Sequence, residues 1–308
     1  MTAGTRERGG AVVTGGGGGI GAAIAMRFAA AGFGVVVSDL GVDVAGNAPS
    51  TTAADAVVEA IIATGGRAVA RYGSVADFAT AQDLVDTAVA EFGSIDAMVT
   101  CHGILRERMI FNMSEAEWDS VIAVHLRGTF ACFRFASARM REQRDGSLIA
   151  LGSAAGMEGS PAQANYAAAK AGIVGLVFST ALAMGRYGVN ANCIVPAAAT
   201  RMTARLTEAT TGTRAADERQ GPELIAELAL ALAQPQFRTV TGQVLTAAGR
   251  RVAVWEHPSE VGSVQLPAEL TEEAVQAVLA TALPLAPLRR FAALNLPSPS
   301  APAHADAR

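Results

Sequence analysis

The sequence has few charged residues, and its small negative net charge does not favour a polyanionic partner. Charged residues make up 17% of the 308 residues, and the net charge is −4. Because nucleic acids and acidic membranes bind basic surfaces, we expect neither as a partner. The N-terminal segment MTAGTRERGG lacks the apolar core of a signal peptide, and no apolar run approaches the roughly 20 residues that span a bilayer. These absences predict a cytoplasmic protein.

Cysteine is also scarce. Cys101, Cys132 and Cys193 form no C-x-x-C pair, and no cluster of cysteine and histidine has metal-ligand spacing. We therefore expect no metal site and interpret the cysteines as unpaired thiols in a reducing compartment.

Glycine and aliphatic residues, by contrast, are abundant. Hydrophobic residues make up 51% of the chain, which also contains 32 glycines, and this composition is typical of a buried α/β core with tight turns. Short β-branched runs alternate with helical patterns, which favours a single parallel, doubly wound sheet with helices on both faces. The predicted strands number about seven: Ala11–Thr14, Gly34–Ser38, Ala68–Tyr72, Ile95–Thr100, Leu148–Leu151, Val189–Val195 and Val240–Ala247.

Helices are predicted between these strands. The two longest cover Trp118–Gln143 and Asn165–Tyr187, and both are apolar around much of their circumference, which predicts burial on more than one side. Ser114 and Glu117 have the spacing of a capping box just before the first of them. The other predicted helices follow the first glycine-rich turn or lie at Ala53–Thr64, Asp77–Phe92 and Pro222–Ala233.

The domain organisation follows from where this alternation stops. No linker divides residues 8–250, so we predict one domain over residues 1–255. Residues 256–308 are predicted to form a C-terminal extension with one amphipathic helix, Leu270–Leu283, and a disordered tail rich in proline, serine and alanine.

A glycine-rich turn, TGGGGGIG, separates the first strand from the first helix. Gly15, Gly19 and Gly21 allow the backbone to turn tightly and to approach a pyrophosphate at the helix N-terminus. Asp39 ends the second strand at about the distance expected for an acid that binds a ribose. A carboxylate there accepts hydrogen bonds from ribose hydroxyls and repels a 2′-phosphate, so we predict NAD as the cofactor. The alternative is that Asp39 only caps a turn.

A second group of residues follows the fifth strand. Tyr166 and Lys170 share one face of a predicted helix, and Ser153 lies just after a buried strand. A hydroxyl, a phenol and an ammonium group suit proton transfer to or from an alcohol oxygen. The alternatives are a tyrosine that packs its ring, a solvated lysine and a turn serine.

Together, the glycine turn and Tyr166-x-x-x-Lys170 resemble the short-chain dehydrogenase/reductase family over about residues 8–250. The resemblance implies one Rossmann-type domain in which Ser153, Tyr166 and Lys170 are catalytic, with Lys170 lowering the pKa of Tyr166. It also implies the residues that contact the dinucleotide: Gly15, Gly19, Ile20, Gly21, Asp39, Ser74, Val75, Gly103, Tyr166, Lys170 and Pro196.

The sequence departs from the family pattern at three places. His125 replaces the asparagine that often completes the catalytic set, and it either serves a proton relay from the lysine or is a buried histidine bonded to a carbonyl. Thr100-Cys101-His102-Gly103 replaces Asn-Asn-Ala-Gly after the fourth strand, and His102 has no partner at metal-ligand spacing. Pro196-Ala197 replaces Pro-Gly.

Several segments, among them CHGILRERM, VHLRGTF and VPAAATRMT, are similar to the (3R)-hydroxyacyl-CoA dehydrogenase domain of peroxisomal multifunctional enzymes and to bacterial relatives. This likeness implies NAD-linked interconversion of a 3-hydroxyacyl and a 3-oxoacyl thioester, or oxidation of a bulky secondary alcohol such as a steroid, with Thr200–Gln220 closing over the substrate. The alternatives are a tailoring ketoreductase of secondary metabolism and a non-catalytic dinucleotide-binding sensor. The family resemblance also implies a homodimer or homotetramer that binds a small-molecule substrate.

Overall fold

A computed structural model describes residues 8–197, 221–266 and 271–279 of the chain. Eight strands form one sheet in the order β3-β2-β1-β4-β5-β6-β7-β8, parallel except for the antiparallel pair β7 and β8. All seven predicted strands are confirmed. The strands are β1 (Gly10–Thr14), β2 (Gly34–Ser38), β3 (Arg67–Arg71), β4 (Ile95–Thr100), β5 (Gly146–Leu151), β6 (Val189–Ala197), β7 (Val244–Ala248) and β8 (Arg251–Val254).

Helices cover both faces of this sheet. The core contains two large clusters of buried residues and a small third one around Ile104, Val121 and Ala169, and β1, β2 and β5 are buried along their whole length. This burial explains their continuous apolar sequences. The helices are α1 (Gly19–Ala30), α2 (Thr52–Ala63), α3 (Phe78–Phe92), α4 (Glu115–Ile122), α5 (Gly128–Gln143), α6 (Ala154–Glu158), α7 (Ala164–Met184), α8 (Glu223–Leu232) and α9 (Glu272–Ala277).

The predicted single helix over Trp118–Gln143 is wrong in one respect. Its start is confirmed, because Ser114 and Glu117 form both hydrogen bonds of the capping box before α4. A π-helical turn, Ala123–Arg127, then separates α4 from α5 and contains His125. Such turns are uncommon and often occur at functional sites. The sequence contains no proline or similar breaker there that predicts the interruption.

Helix α7 shows why composition alone misleads about membranes. Together with the 3₁₀ turn that follows it, this helix is long and apolar enough to cross a bilayer, so the prediction that no segment approaches that length is wrong for Ala164–Tyr187. The helix packs against β6 and α5 and contains both Tyr166 and Lys170. Packing against the protein core accounts for its apolar composition.

Two compact units divide the chain, Met1–Trp255 and Glu256–Arg308. The sheet belongs wholly to the first unit. In the second, the part described includes α9, with Thr271 capping its N-terminus. The division of the chain into a domain and an extension stays a prediction, and the predicted loop Thr200–Gln220 and the predicted disordered tail lie outside the described residues.

Candidate active site

The carboxyl ends of the central strands open into one cavity of about 520 Å³. In a parallel sheet these ends meet at one edge, where ligands of α/β proteins usually bind. Of the predicted site residues, those on the cavity wall are Gly15, Gly19, Ile20, Gly21, Asp39, Ser74, Val75, Gly103, His125, Tyr166, Lys170 and Pro196. Residues that are distant in sequence therefore surround one space.

The three predicted glycines of the turn are each required for a different reason. Gly15 and Gly19 both have positive φ angles, of 64° and 51°. A Cβ on Gly21 would overlap the carbonyl oxygen of Gly15, whereas a Cβ on Gly19 would have no atom of the described residues within 4 Å. Gly21 thus allows α1 to pack on the turn, and Gly19 exposes its backbone to the cavity at the helix N-terminus, where an anion is favoured.

Asp39 both braces the glycine turn and lines the cavity. Oδ2 accepts a hydrogen bond from Gly17 N at 2.8 Å, and Oδ1 accepts one from Gly41 N at 2.7 Å. Each carboxylate oxygen keeps further capacity to accept a hydrogen bond. The turn-capping role that we considered as an alternative is therefore present, and it leaves room for a ribose contact as well.

Tyr166 and Lys170 lie on the same face of α7, as their spacing predicts. The Lys170 side chain is 5% exposed, so the interpretation of a solvated lysine is wrong. Its ammonium Nζ donates to the Leu151 carbonyl at 2.6 Å and lies 5.7 Å from the centre of the Tyr166 ring. Burial lowers the pKa of Lys170 to about 8, against the weak opposing effects of two neighbouring cysteine thiols.

The predicted lowering of the Tyr166 pKa is not what the structure shows. Burial raises the pKa of Tyr166 above its usual value of 10.0, and a side-chain hydrogen bond with Ser153 partly opposes this rise. The phenol is therefore protonated at neutral pH. Desolvation of the phenolate outweighs the effect of Ser153, and the Lys170 ammonium is directed at the Leu151 carbonyl.

Ser153 reaches the site through Tyr166. It precedes α6, where its Oγ accepts a hydrogen bond from Ala155 N at 3.2 Å and caps the helix. The same side chain lies close enough to the Tyr166 phenol to lower its pKa. The serine therefore has the role of a turn residue and also a position beside the phenol, and the short helix that it caps gave no sequence signal.

His125 is almost fully buried and packs edge-on against Tyr166, with ring centroids 5.1 Å apart. Its Nε2 lies 2.8 Å from the Ile104 carbonyl, which confirms the bonded-histidine alternative, while Nδ1 has no partner among the described residues. The Ile104 amide lies 3.1 Å from the same nitrogen, so Nε2 can either donate to the carbonyl or accept from the amide of this residue. Burial and then Lys170 lower the pKa of His125, so the ring is neutral.

One part of the cavity wall had no predicted role. The segment between β2 and α2 contributes Val42, Asp43, Val44 and Gly46 to the wall. It is joined to the loop after β4, because Leu105 N donates to the Val44 carbonyl at 2.8 Å and Arg106 Nη2 donates to Asn47 Oδ1 at 3.3 Å. Pairing between two loops depends on the fold and leaves no local sequence pattern.

Comparison with known proteins identifies this arrangement. A sequence model of the short chain dehydrogenase family matches residues 10–211, more than half of the chain. The chain belongs to the short-chain dehydrogenase family. As a short-chain dehydrogenase it is an oxidoreductase that acts on CH–OH groups, and enzymes of this family generally use NAD or NADP.

Relatives within the short-chain dehydrogenases support the resemblance seen in the sequence. Hydroxyacyl-CoA dehydrogenase ChsB1 of Mycobacterium tuberculosis is 41% identical over 276 residues, which cover 85% of this chain and 86% of that protein. The peroxisomal multifunctional enzyme type 2 of Drosophila melanogaster is 45% identical over 193 residues, 63% of this chain and 32% of that enzyme.

A solved structure agrees with the fold. The crystal structure of a short chain dehydrogenase from Mycobacterium avium is 40% identical and has a TM-score of 0.78, covering 90% of this chain and 95% of that one. The predicted α/β class with a mostly parallel sheet is thus confirmed.

Proposed function

We propose that the protein is an NAD-dependent dehydrogenase that interconverts a secondary alcohol and a ketone, with Tyr166 as general acid and base. One observation carries this proposal. A single cavity connects the glycine turn and Asp39 to the buried group formed by Tyr166, Lys170 and His125. A hydride carrier held by the turn would therefore lie next to a group that exchanges a proton with an alcohol oxygen.

The residues of the cavity fit a dinucleotide. The position of Gly19 leaves open space where any other residue would place a side chain, at the N-terminus of α1. Asp39 disfavours a 2′-phosphate by like-charge repulsion, and this supports NAD over NADP. The nicotinamide of the bound cofactor supplies or accepts the hydride. Ile20, Ser74 and Val75 would contact the adenosine portion, and Pro196 and Lys170 the nicotinamide portion.

The proton chemistry follows from the state of the side chains. Tyr166, held as a phenol, donates its proton to a ketone oxygen during reduction and accepts a proton as phenolate during oxidation. Ser153, beside the phenol, orients the same oxygen. The Lys170 ammonium lies close enough to the ring to stabilise negative charge that develops on the phenol during transfer.

For the substrate we propose a 3-hydroxyacyl thioester or a similarly bulky secondary alcohol. The support comes from the relative named hydroxyacyl-CoA dehydrogenase, which matches this chain over most of its length. Fold similarity alone does not determine specificity, so the substrate needs a direct test. The proposed location is the cytoplasm.

A substrate panel tests the proposal. Purified protein is mixed with NAD and with 3-hydroxyacyl-CoAs of several chain lengths, steroid alcohols and polyketide alcohols, and formation of NADH is followed by its absorbance. We expect turnover of a 3-hydroxyacyl-CoA, with a higher kcat/KM for NAD than for NADP. Turnover of polyketide alcohols alone would favour the tailoring ketoreductase.

Measurements of NADH binding show whether a lack of turnover means that the wrong substrate was tested or that the protein is not an enzyme. Binding of NADH without oxidation of any alcohol would favour the dinucleotide-binding sensor. Equal or better use of NADP would contradict the role of Asp39.

A further inference from the structure

Three buried polar atoms have no hydrogen-bond partner among the described residues: Thr100 Oγ1, His102 Nε2 and His125 Nδ1. Buried polar atoms are nearly always paired, so each of these atoms needs an explanation. All three belong to the end of β4, the loop after it and the π-helical turn. The proposed site includes His125 beside Tyr166 but assigns no role to His102.

One edge of the His102 ring is attached to the strand that leads into the glycine turn. Its Nδ1 lies 2.6 Å from Thr14 Oγ1. The backbone is joined there as well, because Cys101 N donates to the Thr14 carbonyl at 3.0 Å. A Cβ on Gly15 would lie 2.7 Å from His102 N. His102 is therefore packed directly against the first residue of the turn.

The opposite edge of the ring faces the π-helical turn. A Cβ on Gly128, which follows that turn, would lie 3.0 Å from His102 Nε2. The carbonyl groups of Val124 and His125 are close enough to raise the pKa of His102, although neither makes a regular hydrogen bond with Nε2. The ring thus occupies the space between the end of β1 and the turn that positions His125.

The contacts favour one position for the ring proton. Burial, followed by the charge of Lys170, lowers the pKa of His102 to about 3, so the imidazole is neutral and has a single N–H. The Thr14 hydroxyl lies 2.6 Å from Nδ1 and 3.5 Å from the Val99 carbonyl, and when it donates in the shorter contact the ring proton is on Nε2. In this tautomer the N–H lies near the carbonyl oxygens of Val124 and His125.

We infer that His102 is a positioning residue that, with its proton held on Nε2 by the Thr14 hydroxyl, fixes the π-helical turn and keeps the His125 ring against Tyr166. This inference rests on the proposed function, since the alignment affects turnover only if Tyr166 exchanges a proton with substrate. A Cβ on Gly103 would overlap the His125 ring, so there is little space into which that ring can move without loss of the contact. His102 also lines the cavity, and in this role it acts through the π-helical turn and His125, without contact with the reacting atoms.

Two substitutions separate the two edges of the ring. Glutamine at position 102 places an N–H near the position of Nε2. Asparagine is shorter: its carbonyl oxygen lies near the position of Nδ1, and no N–H reaches the position of Nε2. Because misplacement by about 1 Å can lower a rate by about 100-fold, we expect His102→Asn to lower kcat by at least about tenfold. His102→Gln should restore kcat to within about threefold of wild type, with the affinity for NADH little changed in both variants.

Two results would contradict a positioning role for His102. Unchanged kcat in His102→Asn would overturn the inference. So would a parallel loss of kcat and NADH affinity in both variants, because that result would mean that His102 only packs the turn. The fluorescence of bound NADH measures affinity independently of turnover and also reports whether each variant folds.

Nitrogen NMR of isotope-labelled histidine tests the tautomer even if no alcohol is oxidised. The chain has four histidines, and the spectrum of His102→Gln identifies the signals of His102. We expect a neutral ring protonated on Nε2, an increased share of the Nδ1–H form in Thr14→Val, and the wild-type pattern in Thr14→Ser. A wild-type ring protonated on Nδ1 would overturn the inference, whereas absence of turnover with the expected tautomer would count against the proposed function alone.

Discussion

Replacing Lys170 with methionine is expected to stabilise the fold at neutral pH while it removes turnover. Lys170 is the only lysine in the chain, and its side chain is 5% exposed. Burial lowers its pKa from 10.5 to about 8, so the folded protein at neutral pH contains a buried ammonium ion. Methionine has a similar unbranched shape and no charge.

The magnitude follows from the pKa difference. A shift from 10.5 to about 8 corresponds to about 3 kcal/mol against the charged form in the folded state. The substitution also removes the hydrogen bond from Nζ to the Leu151 carbonyl, which costs about 2 kcal/mol because the donor is charged. We therefore expect the free energy of unfolding at neutral pH to rise by about 1 kcal/mol, and the melting temperature by about 2–4 °C.

The difference in the free energy of unfolding between the Lys170→Met variant and wild type should decrease as the pH rises. Between about pH 8 and pH 10.5 the unfolded chain keeps the lysine proton, whereas the folded protein releases it. The unfolded state then binds more protons, so the stability of the wild type increases with pH in this window. Arg27→Met is the matched control, because it removes a partly exposed cation paired with Glu227 and leaves Lys170 in place.

Two measurements check this reasoning. Denaturant unfolding of the cofactor-free proteins from about pH 7 to about pH 10 gives the stability difference. NMR with isotope-labelled lysine gives the pKa directly, since a single ε-methylene signal is expected from one lysine. A titration midpoint near 10.5, or a Lys170→Met variant less stable than wild type at neutral pH, would refute it.

Four further predictions concern other residues. Tyr166→Phe should lower turnover by about 10²–10⁴-fold while NADH fluorescence still shows binding; in the wild type, alcohol oxidation should accelerate with pH, because the raised pKa of Tyr166 leaves little phenolate at neutral pH. Asp39→Ala should reduce the preference in kcat/KM for NAD over NADP by at least about tenfold, and an unchanged preference would show that Asp39 only caps the turn. Gly21→Ala should abolish NADH binding measured by calorimetry, because its Cβ would overlap the Gly15 carbonyl, whereas Gly175→Ala, with no atom of the described residues within 4 Å of its Cβ, should bind normally. Leu182→Arg, at a position 87% exposed on α7, should convert a dimer or tetramer to a monomer in light scattering; a wild-type monomer would contradict the predicted assembly.

The elements that the sequence predicted best are those buried on both sides. The runs that form β1, β2 and β5 are continuous and apolar because helices cover both faces of the sheet. Strand β8 was missed because it is only four residues long and pairs antiparallel at the sheet edge, where its apolar residues are mostly exposed. The π-helical turn was missed because no local breaker accompanies it.

Spacing along the chain by itself determined the dinucleotide turn, the position of Asp39 after the second strand, and the shared face of Tyr166 and Lys170. These features depend on the geometry of one strand, one turn or one helix, and that geometry is local. Only the tertiary structure decided the burial of Lys170, the contact of His125 with Tyr166 and the attachment of His102 to Thr14. Each of these involves desolvation or groups from different elements, so the protonation states that the chemistry requires become apparent only in the folded chain.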